Sequence, residues 1–273
     1  MRGVMHQRNY GLIRPAAITG AYNVVFFDDF TTSNTIDTAY NTTGFKWYNS
    51  WPTWITINTA QLASAVSNGN SGGGVNASPA GGIVNIYGGT ASNVSMQTCP
   101  NSLVYSATPN QPGSWLHGYF EAYIQYNGTL TGQTGWPAFW SWSTSTTVSS
   151  NPVTEVDFLE VDGTAGTYNQ VQGGTIHNWA DESADSQGPF IGPEMNEYVS
   201  SDWHTYGCLW KTTGTNTGSL TFYYDNTQVG SVVPTGAGTN IALDAVGTST
   251  NQLYLILGTA GWPMNVDWVR VWQ

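Results

Sequence analysis

Hydrophobic and polar residues alternate in short runs along this chain, and clusters of Gly, Ser, Thr, Asn and Pro separate the runs. A period of two is typical of strands with one buried face, and the 3.6-residue period of helices is almost absent. The pattern predicts an all-β sandwich or barrel. The predicted strands cover residues 23–30, 83–87, 117–126, 136–142, 153–161, 171–179, 203–210, 219–225, 228–233, 253–258 and 265–272.

Three polar segments, at 67–81, 143–151 and 180–194, are predicted to be long loops because they are rich in turn-forming residues. Neither an internal repeat nor a linker interrupts the strands. The sequence therefore predicts an N-terminal extension over residues 1–21 and a single domain over residues 22–273.

The predicted strand 117–126 has two different faces. Phe120 and Ile124 share one face, which is predicted to belong to the core. Glu121 and Tyr123 share the other face, where polar and aromatic groups suit a sugar cleft. Glu121 is accordingly a candidate for binding substrate hydroxyls.

Composition narrows the choice of partner. The chain has six Lys and Arg against seventeen Asp and Glu, a net charge of −11. This balance argues against nucleic acid and anionic membranes, and also against a heavily sulfated polysaccharide, because each needs clustered basic residues. The 13 Trp and 15 Tyr offer platforms for the C–H faces of neutral sugars.

The termini and cysteines leave several points open. Arg2, Arg8 and Arg14 occur without a continuous apolar run, so the N-terminus is not a recognisable signal peptide, and no stretch is long enough to span a membrane. We expect a secreted or virion-associated protein, and a monomer. Cys99 and Cys208 could form one disulfide or remain two buried thiols.

Four of the seventeen acidic residues fall within one stretch, Glu-Val-Asp-Phe-Leu-Glu-Val-Asp at 155–162. Glu155 and Asp157 point to one side of a strand there, and the apolar residues beside them point to the other. A regular strand would then turn Glu160 toward the core, where an unpaired carboxylate is costly.

One extra apolar residue, either Phe158 or Leu159, resolves this conflict and restores the alternation. An inserted residue that re-aims the following side chains is a β-bulge. With a bulge, Glu155, Asp157 and Glu160 project from one face in a row. This spacing suits the ~5–5.5 Å that separates the carboxyls of retaining glycosidases.

The three acids would then have different roles. Glu155 would be the nucleophile, and Glu160 would protonate the leaving oxygen and later deprotonate water. Asp157 would lie between them, so that the set keeps one proton near neutral pH. A solvated face or a calcium site is the alternative. However, solvated positions here are Thr, Ser and Asn, and calcium loops space their ligands with small residues. No metal site is predicted at the acids.

These residues resemble a known family. The stretch 155–160 resembles the Glu-x-Asp-x-x-Glu signature of glycoside hydrolase family 16, in the bulged form of its laminarinase-like, agarase-like and carrageenase-like members. Residues 118–122 and 136–140 resemble the family's Gly-Arg-Phe-Glu-Ala and Trp-Pro-Ala-Phe-Trp segments. Residues 203–206 and 266–271 resemble later strands of the family.

The resemblance spans about residues 24–273 and implies a concanavalin A-like β-jelly-roll sandwich of two antiparallel sheets, with a concave substrate cleft. It also implies a structural calcium, to which Asp267 and either Asp28 or Asp29 could contribute, and no catalytic cofactor. Trp140 would stack a sugar beside the acids. The full set of substrate-binding candidates, each with a core or surface position as the alternative, is Glu121, Trp115, Trp136, Trp140, His177, Trp179 and Trp262.

Several functions stay open at this point. The first is a retaining endo-β-glycanase acting on a neutral polysaccharide, most simply a β-1,3-glucan or a β-1,3-1,4-glucan. An agarase-like galactanase is a second. A non-catalytic sugar-binding or virion jelly-roll protein is a third, although a lectin has no use for a bulged row of carboxylates.

Overall fold

The structure is a computed structural model that describes residues 15–31, 35–37, 44–49, 73–78, 82–88, 93–100, 112–126, 137–144, 154–162, 170–172, 174–178, 195–198, 202–214, 217–236, 252–260 and 264–273. These residues form seventeen strands and no α-helix, which confirms the all-β prediction. Within these ranges no helix has the length and apolar character needed to cross a membrane.

The strands of the described residues are numbered in chain order. They are β1 (Val24–Asp28), β2 (Tyr48–Asn49), β3 (Gly73–Ser78), β4 (Ile83–Gly88), β5 (Asn93–Gln97), β6 (Ser114–Trp115), β7 (Gly118–Tyr126), β8 (Ala138–Ser143), β9 (Thr154–Asp162), β10 (Gln170–Gln172), β11 (Thr175–Asn178), β12 (Met195–Tyr198), β13 (Trp203–Gly214), β14 (Thr217–Tyr224), β15 (Thr227–Gly236), β16 (Leu253–Ala260) and β17 (Met264–Trp272).

The strands form two antiparallel sheets. The eight-stranded sheet has the order β15-β14-β13-β7-β17-β4-β3, with β1 also paired to β17. The nine-stranded sheet has the order β12-β10-β9-β8-β16-β5-β2, with β11 beside β9 and β6 beside β16. Strands that are far apart in sequence pair in both sheets, as in a jelly-roll sandwich. The predicted fold class is confirmed.

The core lies between the two sheets. Phe120 and Ile124 of β7 belong to the same buried cluster as Leu255 and Leu257 of β16, and all four are fully buried. Phe158 of the nine-stranded sheet stacks on Phe120 of the other sheet at 5.8 Å between ring centroids. The predicted core face of strand 117–126 is therefore correct.

The N-terminal part of the described chain covers the outer face of the eight-stranded sheet. Ile18, 4% exposed, packs there in a second apolar cluster with Trp272. Asn23 and Gln273 exchange backbone hydrogen bonds of 2.6 and 2.9 Å, which hold the segment to the chain's last residue. The described part of the predicted extension thus packs against the sandwich.

Two sequence predictions were wrong in detail. The predicted loop 67–81 contains strand β3, which pairs with β4 because backbone hydrogen bonds do not need strand-forming side chains. The predicted strand 171–179 is split by Gly174, whose φ of +87° is open mainly to glycine. The short strands β2, β5, β6 and β12 were not predicted, and residues 145–151 and 180–194 lie outside the described ranges.

Both cysteines are free and buried, so they do not form the disulfide that the sequence left open. Burial raises the pKa of the Cys99 thiol to about 12 and raises the pKa of Cys208 further. We therefore expect no reaction of the folded protein with a thiol reagent at pH 8, because thiolate is the reactive form. Unfolding in guanidinium should release both thiols. Rapid reaction before unfolding would contradict their burial.

Candidate active site

The three acids Glu155, Asp157 and Glu160 lie on β9, which is flanked by β11 on one side and by β8 on the other. Glu155 lies opposite His177 of β11, and Asp157 lies opposite Thr175. On the other side, the partners of these two acids and of Glu160 are residues of β8: Trp142, Trp140 and Ala138, respectively. Directly opposed side chains of antiparallel strands lie about 4.5–5.5 Å apart at Cβ, so these residues share one face of the nine-stranded sheet.

A β-bulge places Glu160 on that face. Phe139 pairs with Leu159 and Trp140 pairs with Asp157, which leaves Phe158 as an extra residue in β9. Phe158 and Leu159 both enter the core, at 2% and 0% exposure, while Glu160 is only half-buried. The slip in register lies where the broken alternation predicts an extra residue.

Asp157 is the most enclosed of the acids. Its side chain is 1% exposed, whereas Glu155 and Glu160 are half-buried. His177 approaches it from β11, with Nε2 3.3 Å from Oδ2. No N–H or hydroxyl of the described residues donates to either oxygen of Asp157. The neighbouring acids and the imidazole are therefore the groups that decide its charge.

The pKa of Asp157 is raised well above its ordinary value. Burial is the largest cause, since it disfavours the charged form, and the negative charge of Glu160 raises the pKa further. A carboxyl–carboxyl hydrogen bond with Glu155 lowers the pKa, and one with Glu160 raises it. Hydrogen bonds between carboxyls require a proton, so the geometry favours one proton held within the row.

This raised pKa predicts a pH effect on stability. The unfolded chain loses the Asp157 proton near pH 4, whereas the folded protein retains it, so stability falls as the pH rises from 4 toward the folded pKa. Asp157→Asn cannot ionise and should remove this fall. The gap in unfolding temperature between Asp157→Asn and the wild type should widen from pH 4 to pH 8. Parallel curves would show that Asp157 is ionised in the folded state.

Trp140 and Trp142 lie on the adjacent strand β8, on the same face of the sheet as the acids. Their rings meet edge to face at 6.0 Å, and they are 6% and 3% exposed. Tyr254 and Ile256 of β16 lie opposite them and are fully buried, although neither belongs to the core between the sheets. Trp140 thus lies beside Asp157 as predicted, but it presents little free ring surface.

Two predicted substrate-binding residues lie elsewhere. Glu121 is on the eight-stranded sheet and turns away from the core, where it pairs with Arg270 and accepts a 3.0 Å hydrogen bond from Trp272 Nε1. The polar face of strand 117–126 is therefore not a cleft. Trp115 packs in the core against Phe26 and Phe120. Both predictions were wrong because alternation along a strand separates two faces but does not show which of them forms a cleft and which packs against other residues.

Three other candidates, Trp136, Trp179 and Trp262, lie outside the described residues. The sequence reasoning missed Thr175, whose half-buried side chain shares the acid face opposite Asp157. The available signal was its position two residues before His177, which puts both on one strand face.

Asp28 does not fit the expected structural calcium. Its Oδ1 accepts a hydrogen bond from the Phe30 amide at 3.1 Å and lies 3.5 Å from Lys46 Nζ. Its Oδ2 accepts a 2.9 Å hydrogen bond from Trp47 Nε1. A lysine ammonium beside the carboxylate already balances its charge and opposes a second cation. Calcium binding through Asp29 or Asp267 stays a prediction.

Comparison with known proteins shows what the fold is similar to. No protein-family model matches the sequence, and no curated protein matches it. A variant of a non-specific endo-β-1,3(4)-glucanase from family 16, co-crystallised with 1,3-β-D-cellotriosyl-glucose, superposes with a TM-score of 0.60 at 19% identity, over 95% of this chain and 98% of that one.

Two further solved structures agree. The laminarinase from Rhodothermus marinus has a TM-score of 0.56 at 18% identity, over 93% of this chain and 98% of that one. Porphyranase B from Zobellia galactanivorans has a TM-score of 0.55 at 15% identity, over 92% of each chain. The fold of this protein is therefore that of the jelly-roll glycoside hydrolases of family 16.

Proposed function

We propose that this protein is a member of glycoside hydrolase family 16 and a retaining endo-β-glycanase. The observation that carries the proposal is the β-bulge at Phe158, which brings Glu155, Asp157 and Glu160 onto one face of one strand. In a strand with only a structural role, a buried carboxylate between two other carboxylates would be unfavourable, because their negative charges repel one another. A glycosidase needs two carboxyls in different protonation states.

The proposed mechanism gives each acid one role. The Glu155 carboxylate attacks the anomeric carbon as Glu160 donates its proton to the leaving oxygen, so the glycosidic bond breaks and a glycosyl–Glu155 ester forms. Glu160 then removes a proton from water, which displaces Glu155. Asp157, held by burial and beside His177, keeps a proton within the row and orients Glu155.

The proposed substrate is a neutral polysaccharide, with β-1,3-glucan or β-1,3-1,4-glucan as the first choice. The support is the low content of basic residues and the similarity to an endo-β-1,3(4)-glucanase and a laminarinase. Agarose is the second choice, as the substrate of an agarase-like galactanase. We also propose that the protein is secreted or associated with a virion, because this would bring it into contact with an extracellular polysaccharide.

A substrate panel tests this function. The protein is incubated with laminarin, barley β-glucan, agarose and a mannan, and the products are separated by chromatography. We expect oligosaccharides of several lengths from a β-glucan, and proton NMR of the first products should show the β-anomer. Release of monosaccharide alone would contradict endo action, and a first-formed α-anomer would contradict retention. Binding without products would favour the non-catalytic alternative.

A further inference from the structure

The candidate active site also has the features of a metal site. Among the described residues, Glu155, Asp157 and His177 are a group in which three metal-ligating atoms lie within 4.8 Å of one another. The sequence did not reveal this group, because His177 is on a different strand from the two acids and joins them only through the pairing of β11 with β9.

The distances suit a small divalent cation. Zinc bonds to imidazole nitrogen and carboxylate oxygen are about 2.0–2.2 Å long, so the ligand atoms of a tetrahedral site are about 3.3–3.5 Å apart. His177 Nε2 and Asp157 Oδ2 are 3.3 Å apart, which is already one edge of such a tetrahedron. A modest rotation of the half-buried Glu155 side chain would complete the three-ligand face.

The Asp157 side chain is an independent reason to expect a ligand here. It is 1% exposed, and among the described residues only the neighbouring carboxyls of Glu155 and Glu160 and the imidazole of His177 approach its oxygens, with no backbone amide or alcohol hydroxyl donating to either. A buried carboxyl in this state is stabilised either by a proton or by a cation. The backbone amide of Gly174 donates to the Asp157 carbonyl at 2.9 Å and holds β11 against β9, so the ligands are fixed on paired strands.

We propose that Glu155, Asp157 and His177 bind a divalent transition-metal ion of the zinc class, with the fourth position open to solvent. One imidazole and two carboxylates suit zinc or cobalt, whereas calcium prefers six to eight oxygen ligands. The half-buried Glu160 lies on the same face and adds negative charge that attracts the cation.

The consequence for activity rests on the proposed function. A metal ion bound by Glu155 takes the electron pairs with which this carboxylate would attack the anomeric carbon. The ion would therefore inhibit hydrolysis reversibly, and a chelator would restore it. The same ligands would give a zinc-sensitive glycanase without any separate regulatory domain.

Calorimetric titration of the full chain with Zn²⁺ tests the proposal without any substrate. We expect one ion per chain, and binding weakened at least about tenfold in His177→Ala, judging from the effect of losing groups that support metal sites. Co²⁺ should give visible absorption bands in the wild type that His177→Ala loses. Ca²⁺ and Mg²⁺ should not compete. Glu155→Gln keeps the side-chain shape and should weaken Zn²⁺ binding as well, which covers the case that His177→Ala does not fold.

His204→Ala is the matched control, because His204 Nδ1 lies 2.7 Å from Asp225 Oδ2 in a second His–Asp pair that does not belong to the three-ligand group. It should bind Zn²⁺ like the wild type. No binding in the wild type, or equal weakening by His177→Ala and His204→Ala, would overturn the proposal. Because zinc binding is measured without substrate, an absence of binding would leave the glycanase proposal intact. A protein that binds Zn²⁺ but hydrolyses no polysaccharide would support the metal site and contradict the glycanase proposal.

Discussion

Replacing the proposed nucleophile should abolish hydrolysis. In Glu155→Ala, we expect activity on the best β-glucan to fall by on the order of 10⁴-fold or more, because no glycosyl ester can form. Glu155→Gln keeps the shape of the side chain and should lose as much activity, which separates loss of the carboxylate from loss of packing. Circular dichroism and unfolding temperature show whether each variant is folded.

Azide identifies the role of each glutamate. In Glu155→Ala, azide occupies the space of the lost carboxylate and attacks a substrate with a good leaving group, giving the α-glycosyl azide. In Glu160→Ala, Glu155 still forms the ester, and azide then displaces it to give the β-glycosyl azide. Proton NMR distinguishes the two products. Exchanged products would mean that the roles of the two glutamates are reversed, and no rescue in either variant would contradict a covalent mechanism.

Replacing Gly113 with alanine should cause a large loss of stability. Gly113 has a φ of +73°, and a Cβ there would overlap the carbonyl oxygen of Thr98 and lie 2.5 Å from its carbonyl carbon. Thr98 cannot move easily, because its Oγ1 donates to the Gly113 carbonyl and accepts from the Leu255 amide. We expect Gly113→Ala to cost about 3–5 kcal/mol, the sum of overpacking and backbone strain.

For a protein of this size, such a loss lowers the unfolding temperature by roughly 5–9 °C, which calorimetry measures directly. Gly44→Ala is the matched control, because Gly44 has a φ of +94° and nothing lies within 4 Å of its added Cβ. The control should cost about 1 kcal/mol through backbone strain alone. Equal losses in both variants would show that Thr98 gives way and that the contact is not rigid.

The acid row was predictable because its signal is local. Glu155, Asp157 and Glu160 lie within six residues, and the extra apolar residue between them has one reasonable structural explanation, a β-bulge. The pairing of β8 with β9 slips at that point, as expected. A regular two-residue alternation would turn Glu160 into the core, where its carboxylate is costly to bury. This conflict can be recognised from the strand itself, without knowledge of its partner strands.

Pairing between distant strands was not predictable in the same way. Glu121 lies in a correctly predicted strand with a correctly predicted core face. Its side chain, however, pairs with Arg270 of the neighbouring strand on the outer face of the eight-stranded sheet, and the acids lie on the nine-stranded sheet. Trp115 is close in sequence to that strand but packs in the core. Alternation divides a strand into two faces, but only the arrangement of the sheets decides which outward face carries the site.

The all-β fold class, most strand positions, the core face of β7 and the position of the irregularity in the acid row could be read from the order of residues, because each leaves its mark on the alternation along a single strand. The folded arrangement of the strands was needed to show that His177 lies beside Glu155 and Asp157, and that Cys99 and Cys208 are separate buried thiols. Those facts depend on which strands pair and on where each residue lies in the two sheets, and a one-dimensional hydrophobic pattern does not encode either.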